Sequence, residues 1–216
     1  MSESPAVQRV ARKPQQRSLQ TQQKLLDAAI EAFAENGFKG TSTRDIAERA
    51  GVHHPLITYH FKSKDQLWRA GADRIWSEFN DALSRALARS EASRPRAQMA
   101  TLIRAYVMYA QSQPALHKMM LNEASYPNPR LDWLVDTHLK PFFEDTVSRL
   151  SDLQEQGLAP AGDPALLFNL IRAAAGSLLA SNLEIRRTSG VDFESRETVE
   201  ALAEMMVRIF LPGEED

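Results

Sequence analysis

The sequence predicts an all-α protein of about nine helices, with an N-terminal three-helix unit followed by a larger helical body. Three observations carry this. Apolar residues recur at i, i+3, i+4 and i+7, the spacing that gathers them on one helical face. No segment alternates apolar and polar residues as a half-buried strand does. Between the periodic segments stand residues that start or stop helices: Ser, Thr or Asp before, Pro in the first turn, Gly after.

A hydrophobic content of 43% suffices for one small and one larger core. There is no cysteine, which excludes disulfides and thiolate zinc sites. No cofactor and no metal are expected. No apolar run nears the roughly 20 residues that span a bilayer, and the polar N-terminus lacks a signal-peptide core. A cytoplasmic protein with no membrane partner is the expectation. The net charge of −2 conceals an asymmetry. Residues 1–70 hold 11 Lys and Arg against 7 Asp and Glu, a balance of +4, and the remainder holds 15 against 21, a balance of −6. The first segment is the one suited to phosphate.

Residues 1–17 are polar, contain two prolines and show no apolar face, which predicts a disordered arm bearing Arg9, Arg12, Lys13 and Arg17. It reads either as a solubilising tail or as a basic arm for DNA. Residues 18–64 form the first domain. Helix 1 is expected from about Ser18 to Asn36, burying Leu26, Ile30 and Phe33, and ended by Gly37. Thr41, Ser42 and Thr43 offer capping hydroxyls to a helix near 43–50, Gly51 turns the chain, and Pro55 opens a helix near 54–60. Ser63 to Gln66 reads as a capping box for a long helix that reaches Arg89 along Leu67, Ile75, Phe79, Leu83 and Leu87. Residues 65–216 form the second domain, with helices expected near 95–112, from Pro114, and near 130–156, 164–187 and 194–211.

Two short helices around a glycine turn are the helix-turn-helix plan, in which the second helix enters the DNA major groove. The segment Leu19 to Trp68 resembles the DNA-binding domain of the tetracycline-repressor family of bacterial regulators. The resemblance rests on Leu26-Asp27-Ala28-Ala29, Phe33, Asn36-Gly37-Phe38, Thr41-Ser42, Asp45-Ile46-Ala47, Ala50-Gly51-Val52, Tyr59-His60-Phe61 and Ser63-Lys64. It implies a ligand-responsive transcriptional regulator, most often a repressor, that binds double-stranded operator DNA as a homodimer. A DNA-binding activator, or a regulator without an effector, stays open beside it. No catalytic signature argues for an enzyme: there is no phosphate loop, nucleophile elbow or HExxH.

Phosphate contacts position such a protein and base contacts specify its site. Ser42, Thr43, Tyr59, His60 and Lys64 are the expected phosphate contacts, the positions the family uses for backbone binding. The alternative for Ser42 is a helix cap, a role that can coexist with phosphate contact, and for Tyr59 it is core packing by its ring. Base readout falls to Arg44, His53, His54, Pro55, Leu56 and Thr58. Arg44 suits a bidentate contact to guanine, and Pro55, Leu56 and Thr58 suit thymine methyls. The alternative for Arg44 is an i, i+4 ion pair with Glu48.

A homodimer is expected through the helices near 164–187 and 194–211. The run Ala173-Ala174-Ala175-Gly176-Ser177 permits close helix approach, and Val199, Leu202, Met206, Ile209 and Phe210 share one side. An apolar pocket for a small-molecule effector of unstated identity is expected from Met119, Met120, Tyr126, Trp133, His138, Phe142, Asn169 and Arg172. Plain core packing is the other reading of these residues. An Arg172 that faces the pocket favours an anionic effector.

Overall fold

The computed structural model describes residues 5–213, with side chains from residue 15. Helices and their connections account for all regular structure among the described residues. Contacts divide the chain into two compact units, one ending at Arg74 and the other beginning at Ile75.

In the first unit, α1 spans Pro5–Gly40. The arm expected to be disordered over residues 1–17 is therefore helical from Pro5, while residues 1–4 lie outside the described residues. Pro5 occupies the first helical position, where its missing N–H costs no bond. Gly37 (φ 66°, ψ 176°) breaks α1 where the sequence placed its end. The buried face centres on Leu25 rather than Leu26: Leu25 is 0% exposed and Leu26 only partly covered. Ala28, Ala29 and Ala32 flank it, and their small side chains let neighbouring helices approach that face.

Thr41 is buried, and its hydroxyl lies 2.9 Å from the Ala32 carbonyl oxygen and 2.8 Å from that of Gly37. It closes the end of α1, while Ser42 alone caps α2, Thr43–Arg49. Ser42 Oγ accepts from the Asp45 N–H at 3.1 Å and the Asp45 carboxylate accepts from the Ser42 N–H at 3.4 Å, a reciprocal capping box. Gly51 turns the chain at φ 64°, a conformation that strains any side chain. Helix α3, Pro55–Phe61, follows, with Ile57 and Phe61 buried. Then Lys62, the one described non-glycine residue with positive φ (58°), reverses the chain into α4, Lys64–Arg89. Ser63 Oγ caps α4 through the Gln66 N–H at 3.1 Å.

The expected domain boundary at residue 64 moves to 74 because the first turns of α4 belong to this core. Leu67 and Trp68 are 0% and 1% exposed, Arg74 pairs with Asp27 at 2.6 Å, and a Cβ at Gly71 would lie only 3.2 Å from Ile30.

The second unit contains the rest of α4 with α5 (Pro95–Ser112), α6 (Ala115–Ala124), α7 (Pro129–Leu134), α8 (Lys140–Glu155), α9 (Pro164–Ala180), α10 (Asn182–Ser189) and α11 (Arg196–Phe210). Helix α5 packs against α11 and α9, and α8 packs on α9. Arg104 on α5 meets Glu204 on α11 through two bonds of 2.6 and 2.9 Å. Two helices read as continuous are interrupted. The stretch near 130–156 contains a π-helical segment, Val135–Leu139, just before Pro141. Proline has no N–H to donate and its ring crowds the carbonyl one turn back; a widened turn relieves both. The stretch near 164–187 bends by 78° between α9 and α10. Between α6 and α7, Glu123 (1% exposed) meets Arg130 at 3.1 Å in a buried ion pair, and Asn128 accepts from the N–H groups of Arg130 and Leu131. No single described helix is long and apolar enough to cross a membrane.

Candidate functional site

In the first unit, α2 and α3 turn their apolar sides inward and a polar surface outward. Ile46, Ala47, Ile57 and Phe61 are buried, whereas Arg44, His53, His54, Pro55, Thr58 and Tyr59 are exposed and Leu56 is half-buried. Arg44 on α2, His53 and His54 in the turn, and Pro55, Leu56 and Thr58 on α3 thus lie at or near the surface. Tyr59, 76% exposed, is not a core residue, and its ring meets the edge of the half-buried His60 at 5.0 Å between centroids. Thr43 Oγ1 and His54 Nε2 are 2.9 Å apart, a bond that ties the front of α2 to the front of α3. Lys64 Nζ sits 4.4 Å over the Phe38 ring, so a cation–π contact holds its charge near the start of α4.

The two arginines of α2 part company. Arg49 bonds Glu35 at 2.7 Å with Glu31 at 3.6 Å, and those carboxylates hold its guanidinium above the ordinary arginine range. Arg44 makes no ion pair with Glu48 or with any other described residue. Its fork of donors is therefore open to a partner from outside.

The second unit holds a cavity of about 310 Å³, at the small end of organic-ligand pockets. Leu83 and Leu87 of α4, Met99, Leu102, Ile103 and Tyr106 of α5, Phe142 of α8, and Phe168 and Ile171 of α9 form its apolar walls. Asn80, Ser84, Thr146, Arg172 and the Arg149–Asp145 pair (2.9 Å) supply polar groups.

Of the eight residues expected to line an effector pocket, Phe142 and Arg172 do so. Met119 is core, 4% exposed. Met120 reaches only a smaller adjoining void. Tyr126 lies exposed beside the α6–α7 loop, and Asn169 faces outward. His138 stacks parallel on Trp76 at 5.6 Å between centroids, and Trp133 meets His138 edge to face at 5.3 Å. Leu83 and Leu87, which the apolar stripe of α4 places on one face, line the cavity together with residues of α5. The polar pair Asn80 and Ser84, spaced i, i+4 beside the Phe79–Leu83–Leu87 stripe, is the sequence trace of that wall.

On α9 the run of small residues is divided. Ala175 and Gly176 are buried inside their own chain, where the His117 ring of α6 fills the space of the missing Gly176 side chain. What α9 and α11 leave uncovered is larger: Leu166, Leu170, Met205 and Ile209 are each more than half exposed. On α11, Val199 and Met206 face inward instead.

A pair of short helices at a glycine turn, backed by an apolar core and fronted by an open arginine, two histidines and a tyrosine, has the arrangement of a helix-turn-helix. Residues 25–70 match the family of bacterial regulatory proteins named tetR. The chain is 24% identical over 119 residues to the probable HTH-type transcriptional regulator YttP of Bacillus subtilis, covering 55% of this chain and 58% of that one. It is 24% identical over 213 residues to the probable acrEF/envCD operon repressor of Escherichia coli, covering 95% and 93%. Its fold matches the solved structure of AibR in complex with isovaleryl coenzyme A and operator DNA with a TM-score of 0.71, at 17% identity over 90% of this chain and 100% of that one. The chain spans under two thirds of the length of the first curated relatives it matches. Over residues 25–70 the chain is thus similar to the tetR family of bacterial regulatory proteins.

Proposed function

We propose that this protein is a sequence-specific DNA-binding transcriptional regulator, a repressor that a small-molecule effector releases from a near-palindromic operator. The observation that carries the reading is the outward face of α2 and α3, above all Arg44, which is exposed and unpaired while Arg49, one turn and a half further on, is neutralised. Arg44 reads guanine; His53, His54, Pro55, Leu56 and Thr58 lie along the groove floor; Ser42, Thr43, Tyr59, His60 and Lys64 meet phosphate. One such reader makes too few base contacts for an operator, so a homodimer presents two. The uncovered leucines of α9 with Met205 and Ile209 of α11 form its apolar interface.

The effector occupies the 310 Å³ cavity. Helix α4 supplies both a wall of that cavity, at Leu83, and core residues of the DNA-binding unit, at Leu67 and Trp68. An effector that favours one position of α4 alters the spacing of the two α3 helices, and operator affinity falls by the differential affinity of effector for the two states. A tenfold release requires about 1.4 kcal/mol of that difference. The protein acts in the cytoplasm.

Footprinting of the purified chain on DNA flanking its own gene tests this. A protected near-palindrome that survives physiological salt is the expected result. Binding no tighter than to random duplex rejects the reading. Sedimentation of the wild type and of the Leu170→Glu/Ile209→Glu variant tests the dimer: the first is expected to sediment as a dimer at micromolar concentration and the second as a monomer.

A further inference from the structure

Beside the large cavity lies a second void of about 20 Å³, and the two share Tyr106, Phe142 and Arg172 as walls. Three residues around the small void carry a buried nitrogen without a hydrogen-bond partner among the described residues: Trp76 Nε1, His117 Nδ1 and Arg172 Nε. Trp76 is 4% exposed, so water does not serve its N–H from outside. Native structures leave few such atoms unmet, and three around one void is a concentration that asks for a cause.

Tyr106 Oη lies 2.6 Å from His117 Nε2 and 3.3 Å from the Arg172 carbonyl oxygen. Burial, helped by the Arg172 charge, pushes the His117 pKa down to about 4, so the ring is neutral at pH 7. Trp76 Nε1 and Arg172 Nε are N–H donors in either tautomer of that ring, and the second belongs to a guanidinium. In the tautomer where Tyr106 donates to His117 Nε2, His117 Nδ1–H is a third donor, more than the two lone pairs of one water can satisfy. A carboxylate, with about four acceptor sites and a charge opposite to that of Arg172, meets all three.

We propose that Trp76, His117 and Arg172 form the head-group subsite for an amphipathic carboxylic acid whose hydrocarbon part fills the 310 Å³ cavity. This rests on the effector reading above and adds the ligand's chemical class and the placement of its charge. The cavity is about twice the 150 Å³ that encloses a benzene ring, so the tail is a ring with a short chain or a medium-length alkyl chain.

Octanoate and 4-phenylbutyrate, each with its matched primary alcohol, are the probes. Binding to the full chain is followed by calorimetry and by tryptophan fluorescence. At least one acid is expected to bind tenfold or more tightly than its alcohol. Arg172→Gln and Trp76→Phe are each expected to weaken that acid about tenfold while leaving its alcohol within twofold, with circular dichroism reporting that the variants fold. Tyr106→Phe serves as a second, milder variant: it releases His117 Nε2, which can then take the proton, and it should weaken the acid without changing the alcohol. Equal binding of acid and alcohol, failure of both acids to bind, or acid binding indifferent to Arg172→Gln and Trp76→Phe overturns the proposal. These outcomes are separable from failure of the regulatory reading. Acids that bind selectively to a protein that protects no operator leave the subsite standing and remove the repressor; a protected operator with no acid selectivity does the reverse.

Discussion

Gly176→Ala is the substitution on which the packing account stakes most. An Ala at that position would place its methyl group within the His117 imidazole, in contact with Cδ2 and Nε2, both of ring rather than flexible chain. The ring must leave, and with it goes the 2.6 Å bond to Tyr106 Oη. Overpacking of this kind costs about 1–3 kcal/mol and a lost buried hydrogen bond about 1 more. Against this, Ala exceeds Gly in helix propensity by about 1 kcal/mol. The net expectation is a loss of about 1–3 kcal/mol, or roughly 2–12 °C in Tm for a chain of this size. Urea melts of the wild type, Gly176→Ala, His117→Ala and the double variant give the test. In the His117→Ala background the ring is absent, and Gly176→Ala should be neutral or stabilising by up to about 1 kcal/mol. The coupling between the two sites is then about 1–4 kcal/mol. Equal effects of Gly176→Ala in both backgrounds would falsify the contact.

Three other outcomes follow from the same geometry. The His117 pKa, about 4 when folded against 6.5 for the free side chain, means the unfolded state binds more protons in between. Stability should therefore be lost as pH falls from about 6.5 towards 4, by up to ~3 kcal/mol, and the difference between wild type and His117→Gln in pH-dependent melts isolates it from the carboxylates. On DNA, Arg44→Ala should cost about 1–3 kcal/mol at the operator and relax one position of its sequence. Lys64→Ala should instead weaken all duplexes alike and reduce the salt slope by about 1, both read from fluorescence anisotropy across a salt series. Finally, Glu123→Ala removes the carboxylate of a largely buried ion pair, which predicts a loss in a thermal or urea melt well above that for Glu200→Ala in the exposed Arg196 pair.

The helix-turn-helix was legible in the linear chain because its determinants are local. Ser42 and Asp45 close a capping box three residues apart, Gly51 takes φ 64° on its own account, and Pro55 starts α3 wherever the rest of the chain goes. Such signals are set by backbone sterics and by bonds within one turn, so they need no tertiary partner to be read. Tertiary packing decided what local spacing left degenerate. Leu25 and Leu26 both lie on a helical apolar stripe, and only the neighbouring helices choose between them. Arg44 and Arg49 look alike in sequence, yet Glu35 sits fourteen positions from Arg49 and reaches it only in the folded unit. The cavity shows the limit most plainly. Its walls come from α4, α5, α8 and α9, and apolar side chains that line a void obey the same helical periodicity as those that fill a core. Trp76, His117 and Arg172 belong to three helices, and nothing in the order of residues announces that they line one small space. Helix periods report which side of a helix faces inward; what lies opposite, and whether it leaves room, is fixed by how the helices pack.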